Sequence, residues 1–186
     1  MRKNAILFFM FLALPILSQA QLKVCSLRVE HCVNPSVVDV PHPRFSWINE
    51  PKNEQVKGQR QTAYRIVVAS SEEKLNKGKY DLRDSGRVPS DVSVLVPYAG
   101  RELTSGQDCY WKVQTWDVQG KRSKWSPTAH WGMGLLKPEE WHAQWITARQ
   151  AQGAPLFRKA FNLNRKVQKA KAYVTAGGYF ELYVNL

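Results

Sequence analysis

The stretch Asp108-Cys109-Tyr110-Trp111-Lys112-Val113-Gln114-Thr115-Trp116-Asp117 alternates along its whole length. Cys109, Trp111, Val113 and Thr115 fall on one face, and Tyr110, Lys112, Gln114 and Trp116 on the other. A period of two carried by aromatic and β-branched residues is the pattern of a half-buried strand. A tight turn, Val118-Gln119-Gly120-Lys121, follows it, and Trp125-Ser126-Pro127 leads into another short strand at 128–133. Upstream the same pattern recurs. Tyr64-Arg65-Ile66-Val67-Val68 puts Tyr64, Ile66 and Val68 on one face, and Arg44-Phe45-Ser46-Trp47 does so for Phe45 and Trp47. Residues 22–31 alternate with a phase change after Ser26, the signature of a bulge.

Between these runs, 49–61 is polar without period and reads as a long hairpin loop. Residues 71–79 form a charged connection with about one helical turn. Asp84-Ser85-Gly86-Arg87 signals a turn before a short strand at 92–96. No stretch of the chain after residue 20 has sustained helical periodicity. Short strands separated by turns, spread over residues 21–134, predict an antiparallel β-sandwich.

Both ends depart from this pattern. Arg2 and Lys3 precede an apolar run over 5–17, and Ser18-Gln19-Ala20 supplies small residues before a cleavage point. Residues 1–20 therefore read as a secretory signal peptide. The run is shorter than the roughly 20 apolar residues that span a bilayer, so no membrane anchor is expected after cleavage. Lys23 stands where a lipoprotein signal would place a small residue ahead of Cys25. The expected address is the periplasm or the medium. Removing 20 of the 186 residues, with Arg2 and Lys3, leaves 166 residues and lowers the net charge from +12 to +10.

Beyond Gly134-Leu135-Leu136-Lys137-Pro138 a second β series begins: Phe157-Arg158-Lys159-Ala160-Phe161, then residues 171–174 and 179–184, the last ending inside a strand at Leu186. Two or three strands do not bury a core alone. Residues 135–186 are thus expected to be a linker and the first strands of a truncated second β-sandwich.

Chemistry is sparse. Cys25, Cys32 and Cys109 are odd in number, and on one strand the first two would stand too far apart to bridge. A bridge from Cys109 to one of them stays open, but small buried hydrophobes are the favoured reading. His31, His42, His130 and His142 are scattered, and no cofactor or metal is expected. Hydrolysis by a pair of carboxylates needs them facing each other in different protonation states. The adjacent pairs Glu72-Glu73 and Glu139-Glu140 lie in polar connections, where both members stay ionised. Asp84 and Asp117 open turns and read as Asx caps. No catalytic residue is assigned.

Trp47 and Trp111 share the inward phase and belong to the core. Trp116 lies on the outward phase, where three uses are open: stacking on a neighbouring Arg or Lys, packing against the next domain, or meeting sugar. The first is favoured because cation–π pairs are common. Trp141 and Trp145 follow the boundary and suit an apolar anchor between two domains. Lys and Arg are spread along the chain, without the focused stripe that nucleic acid requires. Steering of acidic polysaccharide by the positive charge ranks below plain solvated charge.

The ordered set Pro43-Arg44-Phe45-Ser46-Trp47, Gln61 to Ser70, Asp81-Leu82-Arg83-Asp84-Ser85-Gly86-Arg87-Val88, Tyr110 to Asp117 and Lys124-Trp125-Ser126 resembles the N-terminal end of bacterial α-L-rhamnosidases of glycoside hydrolase family 78. Trp141-His142-Ala143-Gln144-Trp145-Ile146, Leu156-Phe157-Arg158-Lys159 and Gly177-Gly178-Tyr179-Phe180-Glu181 fit the same series. The resemblance implies a fibronectin-III-like or immunoglobulin-like sandwich, a second sandwich, and a later (α/α)6 barrel whose acids release terminal rhamnose with inversion. Arg83 departs from an aromatic common there, and Cys109 from an expected Tyr. The implied partners are downstream domains of the same polypeptide and, for the parent enzyme, a rhamnose-containing glycan. A carbohydrate-binding module and an adhesion-type fibronectin-III domain with a protein partner are the rival readings.

Overall fold

The structure is a computed structural model that describes residues 22–53, 55, 57–148, 153–164, 166–167 and 170–184. The signal-like segment 1–20 lies outside the described residues. Two antiparallel sheets face each other. The first has the order β1 (Leu22–Val29), β2 (Arg44–Pro51), β6 (Val96–Pro97). The second runs β4 (Arg83–Asp84), β3 (Ala63–Ala69), β7 (Asp108–Trp116), β8 (Ala129–Gly132), with β5 (Val88–Pro89) also paired to β3. Helix α1 (Glu72–Asn76) is one capped turn, whose Ser71 hydroxyl accepts from the Lys74 amide.

The alternation in the sequence becomes the inner face of the sandwich. Phe45, Trp47, Tyr64, Ile66, Val68, Cys109, Trp111, Val113 and Trp131 are buried in one cluster. Phe45 sits at its centre, with ring centroids of Trp111 at 4.4 Å, Trp131 at 5.5 Å and Tyr98 at 6.3 Å. These tilted and edge-on arrangements suit the ring quadrupoles and join the two sheets. The phase change in β1 is a register shift between Cys25 and Arg28, with Ser26 at φ 51°.

Three expectations need correction. Residues 49–61 are not a hairpin loop: β2 extends to Pro51, and the chain then crosses to the other sheet, where β3 pairs with β7. Gln61 makes this crossing hold. Its buried amide accepts from Trp47 Nε1 (2.9 Å) and Asn49 Nδ2 (3.0 Å), and donates to the carbonyls of Ser90 (3.0 Å) and Val92 (2.9 Å). Four bonds satisfy a group that would be costly to bury unpaired. The strand expected at 92–96 is laddered only from Val96. Leu95 adopts a left-handed φ of 54°, and the carbonyls before it are taken by Gln61 and by the Trp47 amide. Of the three cysteines only Cys109 is a buried hydrophobe, its thiol pushed up to about 12 by burial; Cys25 is half-buried, Cys32 is exposed, and all three are free.

The edge of β8 is closed by the segment after the first strand. Gly132 N donates to Pro35 O, Val38 N to Gly132 O and Gly134 N to Val38 O, making a short parallel bridge to Met133. A Cβ at Gly132 would collide with the Ser36 carbonyl and come within 3.0 Å of Lys171 Nζ. Gly132→Ala should therefore lower stability by about 1–3 kcal/mol, the usual cost of overpacking, seen as a lower urea midpoint at unchanged slope.

Candidate functional site

The outward residues of β3 and β7 form a face split between apolar packing and a stack of cations and rings. Val67 and Ala69 are covered by Leu75 of α1. Beside them the Arg65 guanidinium lies 5.9 Å from the Tyr80 ring centroid and 5.7 Å from that of Trp125. Lys112 Nζ lies 5.9 Å and 5.2 Å from the same two rings. Asp84 grips Arg65 with both oxygens, at 2.9 and 2.6 Å, and this hydrogen bonding holds the Asp84 carboxyl below its ordinary range. Burial lowers the Lys112 pKa. Trp116, half-buried at the end of β7, carries the Arg87 guanidinium 5.1 Å over its ring. The stacking partner favoured for Trp116 is therefore present within this chain, and Arg87 occupies a ring face that a pyranose would otherwise use.

Most acids have structural partners. Glu30 pairs with Arg44 at 2.6 Å, and Glu73 pairs with Lys77. Asp117 accepts from the Gln119 and Lys121 amides at 2.9 Å each, capping the turn after β7 as its position implied. Asp84 accepts likewise from Gly86 N at 3.0 Å. Glu140, expected in a solvated pair with Glu139, instead accepts from the Ser105 hydroxyl and from the Leu136 and Lys137 amides. The Ser105 bond holds its carboxyl below the usual range. Among the described residues there is no group of three or more His, Cys, Asp or Glu placed to hold a metal ion, and no helix long and apolar enough to cross a membrane.

Past a 3-10 turn at Pro138–Glu140, no strand forms among the described residues of the tail. The runs expected as strands at 157–161, 171–174 and 179–184 lie without ladder partners. An alternating segment with no neighbour has nothing to bond its backbone to. Trp141 is 41% exposed and Trp145 77%. Lys171 touches the sandwich, its Nζ donating to the Gly106 carbonyl at 2.9 Å.

Arg83, a departure from the aromatic pattern, spreads its guanidinium over Tyr98 at 6.0 Å and donates to the Pro97 carbonyl, standing in for a ring. Tyr98 in turn donates its hydroxyl to the Arg101 carbonyl at 2.7 Å, and burial pushes its phenol up to about 12.

Residues 24–137, well over half of the chain, match the family described as Rha78A-like, N-terminal immunoglobulin domain. The chain belongs to this family. An α-L-rhamnosidase of Streptomyces avermitilis is 43% identical over 127 residues, which are 68% of this chain and 12% of that protein. One from Alteromonas sp. is 36% identical over 177 residues, 88% of this chain and 19% of that protein. The crystal structure of the Streptomyces avermitilis enzyme complexed with L-rhamnose superposes with a TM-score of 0.62 at 42% identity, over 68% of this chain and 12% of that one. The structure of an α-L-rhamnosidase from "Dictyoglumus thermophilum" gives 0.63 at 35% identity, over 68% and 14%. The chain thus spans less than a fifth of the length of these relatives, and the match to the Alteromonas protein covers more of this chain than the immunoglobulin domain at 24–137 alone.

Asp81 offers a pH test of this Rha78A-like domain. Burial pushes its carboxyl up, but hydrogen bonds from Lys74 Nζ (2.7 Å) and from the Ser70 amide (2.9 Å) and hydroxyl (2.7 Å) outweigh it and bring the pKa from 3.8 to about 2. A depressed carboxyl stabilises the fold fully above its unfolded pKa and loses that contribution as pH falls through the folded one. The stability gap between wild type and Asp81→Asn should hold constant from about pH 7 to 5 and close between about pH 4 and 2. Urea midpoints across that range measure it.

Proposed function

We propose that this chain acts as the non-catalytic amino-terminal module of an exported α-L-rhamnosidase, packing against and positioning a catalytic part supplied by further domains of the same polypeptide. The observation that carries the proposal is its membership of an amino-terminal immunoglobulin-domain family whose full-length relatives are named α-L-rhamnosidases and are five or more times longer. The site geometry supports it. The hydrogen-bonded acids described above are committed to turns, caps and ion pairs, and the half-buried rings of Trp116, on β7, and Trp125, ahead of β8, are stacked under the chain's own cations. Residues 135–186 are read as the linker and opening strands of the next domain, and the basic, apolar segment 1–20 as the export signal. The substrate of the parent would be terminal α-L-rhamnose on a plant polysaccharide or glycoside.

The purified 186-residue chain is expected to release no nitrophenol from an aryl α-L-rhamnoside. Turnover abolished by replacing one of its own carboxylates would overturn the proposal. A second experiment addresses the rival carbohydrate-binding reading. Titration calorimetry with rhamnose or rhamnogalacturonan fragments should give no heat that Trp116→Ala removes, because Arg87 covers that ring; micromolar binding lost in Trp116→Ala would favour the rival.

A further inference from the structure

The loop joining Leu103 to β7 is built as a receptor for the chain that follows the sandwich. Gln107 closes it on itself: its side-chain oxygen accepts from the Thr104 amide (2.9 Å) and hydroxyl (3.1 Å). Gly106, at φ +72°, turns its amide onto the Gly134 carbonyl at 3.1 Å, and Met133 N donates to Gln107 O at 2.7 Å, so the loop is braced against the exit of β8. Two later parts of the chain then meet it. Ser105 donates to the Glu140 carboxylate while accepting from the Leu136 amide at 2.9 Å, and Leu136 packs on the core. Thirty-one residues further on, Lys171 Nζ lies 2.9 Å from Asp108 Oδ1 and donates 2.9 Å to the Gly106 carbonyl, with both charged side chains mostly buried.

We infer that loop 104–108 is the interdomain docking point of the sandwich: Glu140 and Lys171 clasp it from the polypeptide beyond the boundary and fix the direction in which that polypeptide leaves. The inference rests on the module reading only in taking residues after 135 as the start of another domain. Its chemistry is a short-range polar clasp, in which half-buried Lys171 packs beside Gly132 and donates to the Gly106 carbonyl. An ion pair with a second hydrogen bond to backbone orients its partners more tightly than an exposed pair, and salt weakens it.

Amide hydrogen exchange on the full 186-residue chain tests the clasp. In Lys171→Ala the Gly106 and Asp108 amides should exchange about two- to fivefold faster than in wild type, while the β3 amides are unchanged. Lys171→Arg, which keeps the cation, should restore protection, and 0.5 M NaCl should loosen wild type but not Lys171→Ala. Equal exchange at Gly106 in wild type and Lys171→Ala would overturn the inference, as would acceleration of the β3 amides by the same factor, which would mark a global loss of stability. Neither result touches the module reading, whose failure would appear as rhamnoside turnover.

Discussion

The ring of Phe45 is the constraint on which the fold depends. It belongs to the first sheet, yet its nearest aromatic neighbours, Trp111 and Trp131, belong to the second, with Tyr98 closing the cluster from the loop between them. Neither sheet alone gives this ring an apolar environment, so each sheet's inner face requires the other. The remaining long-range features serve that closure. Gln61 satisfies the indole of Trp47 at the point where the chain changes sheets, and Tyr98 pins its hydroxyl to backbone so that the crossover into loop 104–108 holds. Polar groups are buried here only where their hydrogen bonds are supplied, which keeps the crossing rigid.

Local alternation is what the sequence displays most clearly, because a period of two is written directly into side-chain type. The cores of β2, β3 and β7 and the bulge in β1 are legible on that basis, and local turn residues mark the helical turn after β3 and the Asx caps of Asp84 and Asp117. What escaped was non-local. A polar glutamine flanked by loop residues gives no sign that it will be buried across two sheets. The alternating valines at 92–96 satisfy a strand pattern, but Gln61 and Leu95 take up the backbone there. Cysteine burial was over-read, since only Cys109 sits on the inner phase of a central strand. Arg87 over Trp116 was foreseeable as a type of pair, though not by residue, and the Lys171–Asp108 contact leaves no trace in spacing at all.

The surface of the sandwich is chemically quiet in a specific way. Four of its cations, Arg65, Arg83, Arg87 and Lys112, lie over aromatic rings, and Asp81, Asp84 and Asp117 accept from amides, hydroxyls or cationic side chains of the same sandwich. Such a body suits holding a position within a larger polypeptide. The tail beyond residue 140 differs: Leu156, Phe157, Phe161, Tyr179, Phe180 and Tyr183 are exposed, whereas the large hydrophobics exposed on the sandwich are valines and Ile48. The described chain thus divides into a sandwich with a buried aromatic core and a tail whose large hydrophobic side chains are exposed.

Native-state hydrogen exchange along the whole chain, followed as a function of low denaturant concentration, tests that division most directly. The account predicts that amides of β2, β3 and β7 open together with the free energy of global unfolding, while amides beyond residue 140 exchange by local opening well below it. A tail whose amides at 157–161 and 179–184 share the global opening energy of β7 would contradict it.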